Sequence, residues 1–135
     1  MILLDNNIIR KYARPDPDEA VLNYLSKHRT EPWGISAIVL FEFLSYYDTQ
    51  SKQRTRRSQL TQAVDNVISF DSETAAEAAS METSLEATGV SLDDVDLLIA
   101  ATARQHQATL VTADKNDFDK AALHELMYID IVDAS

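Results

Sequence analysis

Met1-Ile2-Leu3-Leu4-Asp5 opens the chain and decides how the rest of it is read. An apolar run without alternation marks a strand buried on both faces, the habit of a central strand in a parallel sheet. The run ends on a carboxylate. Leu110-Val111-Thr112-Ala113-Asp114 repeats the arrangement near the other end of the chain. Trp33 to Ser36, Val67-Ile68-Ser69-Phe70 and Tyr128 to Val132 supply three further strand candidates. Helical signals fall between them. Asp16-Pro17-Asp18-Glu19 predicts a helix with Asp16 as N-cap and Pro17 at its first position. Ser36 caps a helix that reaches about Tyr47. Residues 48–58 are polar and basic and read as a loop or exposed helix end, followed by a helix over Gln59 to Asn66. Ser72 opens an alanine-rich helix that Gly89 terminates. Ser91-Leu92-Asp93-Asp94 starts a last helix running to about His106. Strands alternating with helices from end to end predict an α/β domain, single over 1–135, with a mainly parallel five-stranded sheet.

Composition narrows the class. Of 135 residues, 45% are hydrophobic, enough for a substantial core, and only 2 Gly and 3 Pro argue against a loop-rich chain. No apolar run reaches membrane-spanning length. The start lacks the basic flank and long apolar region of a signal peptide, so an intracellular, cytoplasmic protein with no membrane partner is expected. The absence of cysteine excludes disulfides and thiolate metal ligands. A net charge of −10 opposes nucleic-acid binding by bulk electrostatics, unless bound cations reverse the local sign.

Four acids sit where a carboxylate is hard to justify structurally. Asp5 closes an apolar strand, and Asp114 follows another. Glu42 interrupts Ile38-Val39-Leu40-Phe41-Glu42-Phe43-Leu44, and Asp96 interrupts Val95-Asp96-Leu97-Leu98-Ile99-Ala100-Ala101. A lone buried carboxylate is expensive unless a partner charge or a metal rescues it. No basic residue stands beside Asp5, Glu42 or Asp96 in sequence. In an open α/β sheet, Asp5 and Asp114 both point to the carboxyl edge of the strands, where functional groups gather. A helix starting at the same edge brings Asp93 and Asp96 there. The joint placement favours a shared divalent-cation site. Oxygen donors alone suit Mg²⁺ or Mn²⁺, ions that activate water and stabilise an in-line phosphoryl displacement. Singly, each acid also has a bland reading. Asp5 suits a turn, Asp93 and Asp94 suit a helix cap, and Asp114 and Asp117 suit caps of the turn they share. Thr112 is either a ligand-orienting residue or an ordinary strand residue. His28, His106 and His124 have no ligand spacing. Lys52, Arg54, Arg56 and Arg57 form a basic cluster that reads as a solvated face or an RNA contact, and Arg10, Lys11 and Arg14 form a second basic group.

These segments resemble the PIN-domain nucleases, and among them the small VapC-type toxins of bacterial toxin–antitoxin systems. Ile2-Leu3-Leu4-Asp5-Asn6-Asn7 is similar to the family's strand-Asp-Thr-Asn opening, with Asn6 in place of the usual Thr. Ser36 to Phe43 resembles its Ser…Glu helix. Val95 to Ala103 resembles its most diagnostic segment, and Leu110 to Phe118 its Thr-x-Asp-x-x-Asp-Phe ending. The resemblance implies a three-layer α/β/α sandwich and a Mg²⁺- or Mn²⁺-dependent endoribonuclease. It makes Asp5, Glu42, Asp96 and Asp114 a metal-binding catalytic quartet, helped by Asp93 and Asp117 and supported by Asn7, Ser36 and Thr112. It also implies homodimerisation and a cognate antitoxin as partner. Two other readings remain: a receiver-like Mg²⁺-binding signalling module with Asp71 after its third strand, and a PIN-like RNA- or partner-binding domain without catalysis.

Overall fold

A computed structural model describes residues 1–134. Its centre is a sheet of five parallel strands: β1 (Ile2–Leu4), β2 (Trp33–Ser36), β3 (Asn66–Ile68), β4 (Thr109–Thr112) and β5 (Ile129–Ile131), in the order β3-β2-β1-β4-β5. Eight helices complete the described chain: α1 (Asn6–Ala13), α2 (Glu19–Lys27), α3 (Ala37–Ser45), α4 (Gln50–Ala63), α5 (Ser72–Glu86), α6 (Asp94–Gln105), α7 (Lys115–Phe118) and α8 (Ala121–Leu126). The architecture is the α/β/α sandwich expected from the sequence. Ile2, Leu3 and Leu4 are all buried, as a strand covered on both faces must be. One core runs from them through Ile35, Val39, Met81, Ala100, Leu110, Val111, Phe118 and Leu123. No helix among the described residues is long and apolar enough to cross a membrane.

The strand order fixes the site. From β1 the chain builds outward through β2 and β3 on one side, then returns to lay β4 and β5 on the other. The order therefore reverses between β1 and β4, and loops leaving two such strands diverge and open a crevice at their carboxyl ends. Leu4 pairs with Val111, and the Asp5 amide donates to the Val111 carbonyl at 2.9 Å. Asp5 and Thr112 thus face each other at the mouth of that crevice. This order differs from the 2-1-3-4-5 sheet of receiver domains. Asp71, the acid that reading required, instead caps α5 from the far edge of the sheet, bound to Thr74. The receiver alternative fails on both counts.

Several local expectations are corrected. The N-cap of α2 is Asp18, not Asp16: its buried carboxylate accepts from the Val21 amide at 3.2 Å. Pro17 therefore lies outside the helix. Residues 50–58, read as a loop or an exposed helix end, are the exposed first turns of α4, which begins at Gln50 rather than Gln59 and is capped by Thr49 through the Lys52 amide. That helix buries little besides Leu60, so its sequence shows almost no apolar periodicity. Three helices go beyond the elements expected from sequence: α1, directly after Asp5, α7, where only a turn at Asp114 is expected, and α8. Gly89 does end the preceding helical segment. At φ 75° it occupies the left-handed position, and Val90 donates back to the Leu85 carbonyl, as in a Schellman turn.

Gly34 is confined by close approach. A Cβ there would stand 2.9 Å from Leu3 Cδ2, 3.3 Å from Met1 Sδ and 3.4 Å from the Asn66 carbonyl. A branched side chain must push aside the buried Leu3 side chain, so Gly34→Val should cost about 1–3 kcal/mol of stability. Urea unfolding checks this; an unchanged midpoint would mean the β1–β2 contact yields freely.

Candidate metal and catalytic site

The site grows from the crevice mouth. Asp5 is the residue after β1 and also the N-cap of α1, and it is only 6% exposed. Its carboxylate accepts from the Asn6 amide at 2.8 Å, the Thr112 hydroxyl at 2.8 Å and the Asn7 side-chain amide at 3.3 Å. Asn7 also donates to Thr112 Oγ1 at 3.2 Å, while its own Oδ1 accepts from the Ala113 amide at 3.0 Å. Thr112 Oγ1 accepts from the Asp114 amide at 3.1 Å. Thr112 and Asn7 thereby stitch the end of β4 to the start of α1. The Asn6 side chain takes no part: its Oδ1 is buried without a partner, and only its backbone holds Asp5.

The other acids arrive on helix ends. Asp93 caps α6, accepting from the Asp96 amide at 2.9 Å, and Asp114 caps α7, accepting from the Asp117 amide at 3.1 Å. Each cap places a second carboxylate three residues on, facing the same opening. Carboxylate oxygens of Asp93, Asp96 and Asp117 all lie within 4.8 Å of one another. Glu42 enters from the second turn of α3, whose cap is Ser36 through the Val39 amide at 3.0 Å. The cap reading of Asp93 and Asp114 is therefore correct and does not compete with the site. Capping is what aims the helix ends at it.

Electrostatically the acids are one unit. Burial raises the Asp5 pKa above the ordinary carboxylate value, the Thr112 and Asn6 hydrogen bonds oppose this, and the charge of Asp114 adds to the rise. Glu42 is raised by burial and then by Asp5 and Asp93, with Arg10 pulling the other way. Asp96 is pushed up to about 7 by burial, by Asp93, by a hydrogen bond with Asp117, and by the charges of Asp117 and Asp5. Like charges crowded into a partly dry site disfavour ionisation, and a divalent cation would reverse that.

Charge thus couples Asp5 to Asp114, Glu42 to Asp5 and Asp93, and Asp96 to Asp93, Asp117 and Asp5; among the described residues, the acids close enough to share one ion are Asp93, Asp96 and Asp117. Ser36 acts on the site only by capping α3. Lys52, Arg54, Arg56 and Arg57 lie on α4, where Lys52 pairs with Asp48 and Arg56 stacks on Tyr47; no hydrogen bond or ion pair joins them to the carboxylates among the described residues. The residue that sequence reasoning misses is Arg10. By sequence it belongs to a basic group with Lys11 and Arg14, yet its charge reaches Glu42. Once α1 is recognised, its place one and a half turns beyond Asp5 is the signal.

Residues 2–123 match the family model described as PIN domain. The chain belongs to the PIN-domain family. Among curated proteins it is 31% identical over 126 residues to Toxin FitB of Neisseria gonorrhoeae, covering 87% of this chain and 91% of that one. It is 28% identical over 131 residues to VapC ribonuclease Y4jK of Sinorhizobium fredii, covering 91% and 94%. Among solved structures, FitAcB from Neisseria gonorrhoeae superposes with a TM-score of 0.75 at 29% identity, covering 96% of both chains.

The raised acids set a pH dependence in the metal-free protein. A carboxyl group whose folded pKa lies above its unfolded value holds its proton more tightly when folded. It stabilises the fold below the unfolded value and loses that contribution as pH rises through the folded one. For Asp96 the window runs from about 4 to about 7. In EDTA, Asp96→Asn should therefore be more stable than wild type at pH 8, with the difference shrinking towards pH 4. Thermal unfolding at the two pH values measures it, and a constant difference would contradict the crowded-acid account.

Proposed function

We propose that this PIN-domain protein is the toxin of a toxin–antitoxin pair, a metal-dependent endoribonuclease of VapC type. The observation that carries the reading is the approach of the Asp93, Asp96 and Asp117 carboxylates to within 4.8 Å of one another; the like-charge effects among Asp5, Glu42, Asp96 and their acidic neighbours support extending the site to Asp5, Glu42 and Asp114. A relative named as a toxin and another named as a VapC ribonuclease support it.

The donor set fits Mg²⁺ or Mn²⁺. All donors are hard carboxylate oxygens, and ligand oxygens around one Mg²⁺ at about 2.1 Å stand about 3 to 4.2 Å apart. The 4.8 Å spread of Asp93, Asp96 and Asp117 closes with small side-chain movements. Asp93, Asp96 and Asp117 would hold the ion between them, and Asp5, Glu42 and Asp114, the rest of the proposed acidic set, would complete the site around it. Once bound, it supplies Lewis-acid stabilisation of phosphate oxygens and acidifies the attacking water. The chain's own part is positional. Thr112 and Asn7 fix the orientation of Asp5, and the caps of α6 and α7 fix Asp96 and Asp117. The RNA must bring its phosphate to the open side of this ring, in the cytoplasm. A homodimer is the proposed assembly, and Phe41, 71% exposed on α3, offers apolar surface for it. A cognate antitoxin would act by covering the crevice.

Asp96→Asn should reduce cleavage of total bacterial RNA by about a hundredfold or more while preserving the circular dichroism spectrum. EDTA should abolish cleavage, and Mg²⁺ or Mn²⁺ should restore it. Wild-type rates from a folded Asp96→Asn protein would refute the mechanism. We also propose that α4 meets RNA phosphates. Neutralising Lys52, Arg54 and Arg57 together should flatten the salt dependence of RNA binding by roughly 0.7 in log–log slope for each phosphate no longer neutralised. An unaltered slope removes α4 from the RNA path.

A further inference from the structure

We propose that Arg10 is the positioning residue for Glu42, holding the last turn of α3 so that this carboxylate stays in the metal site; the inference rests on the nuclease reading above. Helix α3 stops at Ser45, and the amides of Tyr46 and Tyr47 both turn to the Leu44 carbonyl. The carbonyls of Glu42 and Phe43 therefore have no amide from the next turn. Arg10 supplies the missing donors from α1: one guanidinium nitrogen donates to the Phe43 carbonyl at 2.9 Å and to the Glu42 carbonyl at 3.3 Å. The guanidinium lies 4.2 Å from the Tyr46 ring centroid and 5.3 Å from that of Phe43. A cation at a helix C-terminus is favoured by the helix dipole, and the flanking rings narrow its freedom.

The arrangement joins two parts of the site. Helix α1 starts on Asp5 and carries Arg10; α3 carries Glu42. Their relative placement depends on their packing and on these two hydrogen bonds. Glu42 shares its surroundings with the like charges of Asp5 and Asp93, so its place depends on how firmly the backbone of α3 is held. Arg10 acts through the backbone of Glu42 and makes no ion pair with its carboxylate. It also borders a cleft of about 520 Å³ between α1, α3 and α4, lined in part by Tyr12, Arg14, Tyr46 and Arg56. A direct RNA contact by Arg10 is therefore the outcome that the experiment must separate from positioning.

The test compares Arg10→Met, which keeps the aliphatic stem, with Arg10→Lys, which keeps the charge and a donor. If Arg10 positions Glu42, Arg10→Met lowers kcat about tenfold with KM for RNA within about twofold, well below its melting temperature, and Arg10→Lys recovers part of the loss. Lower thermal stability with unchanged kcat would make Arg10 a packing residue and overturn the proposal. A raised KM at constant kcat would make it an RNA contact and overturn it equally. A second readout needs no turnover. Mn²⁺ affinity is measured by calorimetry for wild type, Arg10→Lys, Glu42→Gln and the Arg10→Lys/Glu42→Gln pair. Positioning predicts that Glu42→Gln costs less affinity once Arg10 is replaced; strictly additive losses overturn it. This cycle stays decisive if Arg10→Met fails to fold, and if wild type cleaves no RNA, a result that would count against the nuclease reading alone.

Discussion

The buried Asp5 carboxylate at the end of the central strand is the constraint on which the rest of the site depends. It belongs at once to the sheet, through the Asp5 amide on Val111, to α1, as its N-cap, and to β4, through the Thr112 hydroxyl. Those bonds stabilise the ionised form that burial opposes. Because the strand order reverses between β1 and β4, the carboxylate stands at the one place in the sheet where a ligand can approach between diverging loops. Moving Asp5 would therefore disturb strand pairing, a helix start and the site together.

Around that point, one device recurs. Asp93 and Asp114 each cap a helix, and each cap turns a second acid, Asp96 or Asp117, towards the crevice. An N-cap carboxylate is favourable in its own right, through the amide it accepts from and the positive end of the helix. The fold thus gathers negative charge with interactions that are locally stabilising, while mutual repulsion makes the assembly costly as a whole. Trading stability for function in this way is common at active sites. Here it is supported by a core in which Leu110 and Val111 of β4, Phe118 of α7 and Ala100 of α6 are fully buried on the elements that carry the acids.

The fold is largely legible in the sequence because its signals are short-range and strong. Unbroken apolar runs mark β1 and β4, and Ser36, Asp93 and Gly89 mark helix ends by their own backbone chemistry. Failures occur where that chemistry is ambiguous. Asp16 before Pro17 fits a helix start by local chemistry, but the helix that buries Val21 and Leu25 starts at Glu19 with Asp18 as its cap. Helix α4 buries so little that no periodicity announces it. Helix α1 begins on a residue that also ends a strand. Missing α1 also hides Arg10, because a basic residue in an unassigned segment has no face.

What the sequence determined by itself was the kind of chain: alternating strands and helices, a parallel sheet, and acids in places where only a shared ligand or a cap explains them. Those are properties of local neighbours, and local neighbours are what a sequence displays. Tertiary structure alone decided which acids meet. Asp117 comes within 4.8 Å of Asp96 and of Asp93, which also caps α6, and Thr112 reaches Asp5 across 107 residues of chain. Arg10 reaches the Glu42 backbone only because α1 packs on α3. Such contacts depend on strand order and helix packing, which no spacing along the chain records.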